Sequence, residues 1–352
     1  MSDDRDLHLT RRAFLAIIAA AGATACSGAV TVERTAPASP DAATPPSPTR
    51  PSPQSPQPTP TDAATAPFEP IAGETHPNAK RVAGRFVQSL LTYDAAAKPR
   101  SLLRNALRDV DDEFDVGGVR KRVQRLFVAG AQSRGAIVYP QLGGLSVGSG
   151  TDRASVMVVA AQHLTGKVTA TATRTLDVRL VRRGEVWRVE DLPDVGGAPV
   201  DKPAKGLPEV ARKVLQEPRI ELPDSARWDI IAGDIDERLL RTMLDLAGVA
   251  PYAVTTLKSG HPKNVFGTDT VSGHTLGRGV DIWRIAGQPV VLQGSSTTSD
   301  AHRFTTSALK EFDVPELGSP WDLDGPPEPG TTKPSFTDAV HADHIHVAFK
   351  AA

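Results

Sequence analysis

Ser272-Gly273-His274-Thr275-Leu276-Gly277-Arg278-Gly279-Val280-Asp281 and, much later, His341-Ala342-Asp343-His344-Ile345-His346 are the stretches on which the reading of this chain turns. If residues 340–349 form a strand, side chains alternate between its faces with period two. Ile345, Val347 and Phe349 then point one way, with the character of a core, and His344 and His346 point the other, with the character of a site. A single His among apolar neighbours is ordinarily a hydrogen-bonded structural residue. Six of the nine histidines, however, at 261, 274, 302, 341, 344 and 346, fall in the last hundred residues, which independent placement does not produce.

The 352 residues exceed an average domain of about 150 and imply two domains with additional segments. Hydrophobic content is 39% but aromatic content only 5%, so any core rests on Val, Leu, Ala and Ile. A formal net charge of −1 offers no basic field for nucleic acid, and no nucleic-acid partner is expected. The single cysteine, Cys26, excludes an intramolecular disulfide and a thiolate metal cage. A metal would have to be held by imidazole and carboxylate, the donor set of open catalytic zinc rather than closed structural zinc.

Residues 1–25 read as an export signal. Thr10-Arg11-Arg12-Ala13-Phe14-Leu15, ahead of an Ala- and Gly-rich apolar run, resembles the bacterial twin-arginine signal, with an ordinary Sec signal as the competing reading. Ala23-Thr24-Ala25-Cys26 resembles a lipobox. That resemblance implies a lipid on Cys26, an anchor in the cytoplasmic membrane and an extracytoplasmic location in the cell envelope; plain cleavage after Ala25 would leave a secreted protein. Residues 26–72 are mostly Pro, Ala, Ser and Thr, a composition that buries too little apolar surface to offset ordering entropy and reads as a disordered tether.

Residues 73–195 show helical spacing at Val82, Phe86 and Leu90, then helices expected at 101–107 and 119–128. Strand patterns follow at 136–142, 155–164, 168–181 and 185–192, the last two joined by Arg182-Arg183-Gly184. Helices followed by a long meander resemble the cone-shaped folds of nuclear-transport-factor type found in exported actinobacterial lipoproteins. No catalytic set is legible in this region, and a spacer, docking or ligand-binding role is expected of it. Residues 196–224 read as linker and connecting helix. Residues 225–352 read as a small α+β domain, giving an α+β chain as a whole. It has helices at 234–249, with Asp234 as cap, and at 299–312, and strands at 252–257, 279–285, 289–292 and 340–349.

In that last domain the order Ser272-x-His274-x-x-Gly277-x-x-x-Asp281, followed by a His-rich strand, resembles the zinc D-Ala-D-Ala carboxypeptidase family, whose fold is shared with the Hedgehog amino-terminal domain. The resemblance spans residues 225–350 and implies His274, Asp281 and His346 as zinc ligands. Two imidazoles and one carboxylate leave a net positive metal with one position open, and Gly277 and Gly279 would allow the tight backbone between the first two ligands. Asp343 stands where one branch of the family has a Glu base three residues before the last ligand. His341, His344 and His346 reproduce the His-x-x-His-x-His of another branch, so His344 and His341 are the alternatives for base or transition-state stabiliser. The family's Ser-Gly-Tyr-Arg-Ser reads Ser259-Gly260-His261-Pro262-Lys263 here. Lys258 or Lys263 is then left to supply the substrate-binding cation, with Arg278 as another, although Lys lacks the bidentate fork of Arg. Trp283, Trp321 and Phe266 are read as core in preference to cleft lining. The family likeness implies a zinc peptidase acting on peptidoglycan stem peptides or cross-links. Competing expectations are a zinc-containing cell-wall binding module without turnover and an envelope scaffold acting through the middle domain.

Overall fold

Helix α1 (Pro77–Leu90) opens the folded chain with proline in its first turn, where the missing N–H costs no hydrogen bond. The structure, a computed structural model, describes residues 66–148, 150–200, 202–328 and 331–350. The export signal, Cys26 and most of the tether therefore lie outside the described residues. The buried face of α1 carries Ala83, Phe86, Val87 and Leu90, and also Lys80. A 3-10 helix (Pro99–Asp109) and α2 (Val116–Val123) follow. Four long strands then form an antiparallel meander: β1 (Ala131–Ser146), β2 (Arg153–Gly166), β3 (Ala170–Arg183) and β4 (Val186–Asp194). Their apolar face packs with α1 and α2 in one core containing Phe86, Leu142, Val158, Leu176 and Val189. Two register shifts in β1, at Ile137/Tyr139 and Leu142/Gly144, bend the strand and redirect the side chains between them.

The second half is built from α3 (Glu209–Gln216), β5 (Ile220–Glu221), α4 (Asp224–Ile231), α5 (Glu237–Val249), β6 (Tyr252–Thr256), β7 (Gly279–Ile285), β8 (Gln288–Pro289), α6 (Asp300–Lys310), β9 (Glu316–Gly318), β10 (Ser335–Phe336) and β11 (Ile345–Ala348). The sheet runs β10-β9-β11-β7-β6-β5, with β8 on β7. It packs on α5 and α6 through Leu239, Met243, Leu246, Phe304, Ile282, Ile345 and Val347. The described residues thus form a mixed α+β protein with two large apolar cores and a small third cluster of Tyr139, Ala253 and Trp283. Among the described residues no helix is long and apolar enough to cross a membrane.

Three details depart from the sequence reading. The expected strand at 289–292 is a 3-10 turn, Val290–Leu292, because Pro289 has no N–H to extend the ladder. The last strand begins at Ile345, after a turn held by the Asp338 carboxylate, which accepts from the backbone N–H of Val340 and His341 at 2.8 and 2.9 Å. Helix α5 is capped by Asp236, which accepts from Arg238 N at 2.9 Å, while Asp234 pairs with Lys258.

Specific contacts join the two halves. Tyr139 of β1 stacks on Trp283 of β7 with centroids 4.5 Å apart, so Trp283 belongs to the junction. Asp224 at the start of α4 accepts from Thr173 N at 2.8 Å, and Asp194 accepts from Gly260 N at 2.9 Å. Gly260 has φ +89°, and a Cβ there would meet the Thr175 carbonyl oxygen at 2.2 Å; only glycine fits both demands. Lys80, fully buried, lies between Glu74 and Asp343, 2.5 Å from the latter. Breaking a buried pair by removing one partner costs about 3–5 kcal/mol. Lys80→Met is expected to lower the free energy of unfolding in urea by that amount, whereas a loss below ~1 kcal/mol would show that the ammonium is not carrying the two carboxylates.

Candidate metal centre

β11 and β7 are antiparallel neighbours, and His346 is the register partner of Asp281. Directly opposed residues project on the same face of a sheet. That register places His346 Nδ1 2.8 Å from Asp281 Oδ1. His274 arrives from the turn ahead of β7, with Nε2 3.2 Å from Asp281 Oδ1 and 3.2 Å from His346 Nδ1. Gly277 and Gly279 make this turn possible. Gly277 has φ +69°, and a Cβ on it would strike the Asp234 carbonyl oxygen at 1.9 Å; a Cβ on Gly279 would press on the His274 ring at 2.8 Å. Ligand bonds of about 2.0–2.2 Å in a tetrahedral set put donor atoms ~3.3 Å apart, so the three donors have the spacing that one small cation requires.

A fourth imidazole belongs to the same cluster. His261 stacks on His274 with centroids 3.9 Å apart, and donor atoms of His261, His274 and Asp281 all lie within 4.8 Å of one another, a set that can hold a metal ion. His261 and His346 are therefore alternative or joint partners of the His274–Asp281 pair.

Hydrogen bonds fix how each donor is presented. His274 Nδ1 donates to the Leu257 carbonyl at 2.7 Å, which leaves the Nε2 lone pair facing the cluster. Asp281 Oδ2 accepts from Gln141 Nε2 at 2.8 Å. On the far side of His346, Glu316 lies 3.7 Å from Nε2. Burial drives the Asp281 carboxyl upward, but the imidazoles of His274 and His344 outweigh it and hold the group well below the ordinary carboxylate range. Burial pulls His346 down, yet hydrogen bonding to Asp281 and Glu316 raises it to about 9. A cation taken up by these donors displaces that proton, because imidazole binds metal in its neutral form.

The structure brings His274, Asp281, His346, His344 and His341 together around one cleft of about 320 Å³. His344 Nε2 is 3.9 Å from Asp281 Oδ1. The His341 ring lies 5.0 Å from that of His344, with Nδ1 2.8 Å from Asp338. Asp343, expected as the base, stands behind His344. Its Oδ1 is 2.6 Å from His344 Nδ1, and its Oδ2 takes Lys80 and the Leu142 N–H. With no exposed surface and three partners, it reaches the cluster only through His344. Burial pushes its carboxyl up, but Lys80 and His344 hold it at about 2. Lys258 is not brought in: its ammonium pairs with Asp234 at 2.8 Å. Arg278 points toward Asp236. Among the described residues lining the cleft there is no Lys or Arg, and Phe266 is in the lining rather than the core.

Gln141, Lys80 and the Gly143–Gly144–Leu145 segment of the cleft wall come from the first half of the described chain, where no functional set was expected. One signal was readable: Lys80 falls on the apolar stripe of α1, three residues before Ala83 and seven before Val87, where a charge is costly without a partner. Gln141 carried no such mark.

The chain matches no protein-family model, no curated protein and no solved structure.

Purified protein loaded with a divalent cation and desalted is expected to retain about one equivalent by elemental analysis, and His274→Ala a small fraction of that. Equal retention by both proteins would show that the cation is held elsewhere.

Proposed function

We propose that the chain is a zinc-dependent peptidase that cleaves peptidoglycan stem peptides or cross-links, exported and tethered to the envelope through Cys26. The observation that carries this reading is the mutual 2.8–3.2 Å spacing of His274 Nε2, Asp281 Oδ1 and His346 Nδ1. Two neutral imidazoles and a carboxylate suit zinc among common divalent ions. The motif order and a His-bearing strand beside Asp281 support a likeness to the D-Ala-D-Ala carboxypeptidase and Hedgehog fold. Helices followed by a four-stranded antiparallel meander support a nuclear-transport-factor-like first domain.

Zinc, when bound, supplies a Lewis acid that polarises a carbonyl and acidifies water toward ~7. The protein must supply a group that takes a proton and returns it to the leaving amine. His344 has that position: Nδ1 is held by Asp343, and Nε2 faces the cluster 3.9 Å from Asp281. Asp343 orients the ring through Nδ1, the part a buried carboxylate plays beside a catalytic imidazole. His341, held by Asp338, presents its other ring nitrogen for polar contact with substrate. Val265, Phe266 and Phe336 give apolar surface for peptide side chains. With no Lys or Arg in the described lining, a free terminal carboxylate finds no counter-charge, so cleavage within a peptide is favoured over release of a terminal residue.

A zinc-containing cell-wall binding module without turnover is the second reading. It is favoured by that same lack of a side-chain cation to share with the metal in steadying a developing oxyanion. Zinc-loaded protein incubated with purified peptidoglycan separates the two: the peptidase reading expects chelator-sensitive release of peptide fragments. His344→Ala is expected to lower kcat by about 10²–10⁴-fold with zinc content unchanged. Retention on peptidoglycan with no fragments released would favour the binding module.

A further inference from the structure

We infer that Gln141, a first-domain residue, is the positioning residue for Asp281, so that the centre's affinity for its cation depends on the docking of the first domain. The inference rests on reading the cluster as a zinc centre. Gln141 is fully buried on the part of β1 that lies between the two register shifts, and its side chain is inserted between two residues of the second domain. The Thr255 hydroxyl donates to Gln141 Oε1, and Gln141 Nε2 donates to Asp281 Oδ2 at 2.8 Å. The direction of this relay is set chemically. A carboxylate only accepts, so Gln141 must turn its NH₂ toward Asp281 and its oxygen toward a hydroxyl, which can donate.

The relay divides the work of the Asp281 carboxylate. Oδ2 is occupied by the amide, while Oδ1 alone faces His274 and His346. One oxygen is thereby offered to a cation at a fixed angle. Packing alone does not call for an amide here, since an apolar side chain of similar volume would fill the space without desolvating polar atoms. Residues that orient a ligand from behind typically change metal affinity 10- to 100-fold when removed. Because coupling is reciprocal, a cation that fixes Asp281 also tightens the seat of β1.

The test is zinc affinity of the full chain, measured by competition with a chromophoric chelator, alongside the unfolding midpoint of the zinc-free protein. Gln141→Leu is expected to weaken zinc binding about 10- to 100-fold. Thr255→Val, which keeps the side-chain shape and removes only the hydroxyl that orients the amide, is expected to weaken it in the same direction by less, with the zinc-free midpoint close to wild type. A purely structural role would lower the midpoint and leave affinity intact in whatever remained folded. Should Gln141→Leu fail to fold, Thr255→Val decides. Wild-type zinc binding with unchanged affinity in the folded variants overturns the inference alone. A wild-type chain that binds no zinc overturns the zinc reading and the inference together.

Discussion

A carboxylate sealed from water among imidazoles is the constraint on which the rest of the structure depends. Asp281 has almost no exposed surface, and an isolated buried charge is too costly to survive without partners. Its partners are recruited from across the chain: His346 by strand register, His274 by a turn that two glycines permit, His344 from the turn before β11 and Gln141 from strand β1. Apart from His344 and His346, which are two residues apart, these groups are brought together by the fold. The second sheet, its docking on β1 and the turn capped by Asp338 are the conditions for that convergence.

A second buried charge system lies directly behind the first. Lys80 stands between Glu74 and Asp343, one cation for two carboxylates. Burial lifts the Glu74 carboxyl above its usual range, whereas Lys80 and His344 outweigh burial at Asp343 and hold it low. Tyr139 closes the arrangement, its hydroxyl 3.4 Å from the Asp343 carbonyl oxygen and its ring on Trp283. Helix α1 and strand β1 are therefore built into the back wall of the centre through Lys80 and Gln141.

The sequence carried the donors but not their supports. His274 and Asp281 were marked by the resemblance of the Ser272–Asp281 motif to a zinc peptidase family, with two glycines permitting the tight turn between them. His346 stands out because strand parity opposes it to Ile345 and Val347, both buried in the structure. His344 reaches the same cleft as His346, as parity expects, although the strand starts one residue later and Asp338 shapes the preceding turn through hydrogen bonds that no pattern encodes. Asp343 was legible as an acid near a ligand, yet its direction depended on Lys80, 263 positions away. Gln141 had no local signal at all, because a polar residue in a half-buried strand looks alike whether it meets water or a carboxylate. The helices and the four-stranded meander were readable from periodicity, whereas two- and three-residue strands such as β5, β9 and β10 are specified only by the sheet they join.

The most direct measurement is X-ray absorption at the zinc edge on the metal-loaded protein. Convergence of His274, Asp281 and His346 on one ion predicts a first shell of about four light atoms at ~2.0–2.1 Å, with imidazole outer-shell scattering that falls when either His274 or His346 is replaced by alanine. A shell made of oxygen alone, or an imidazole signal indifferent to both substitutions, would contradict it.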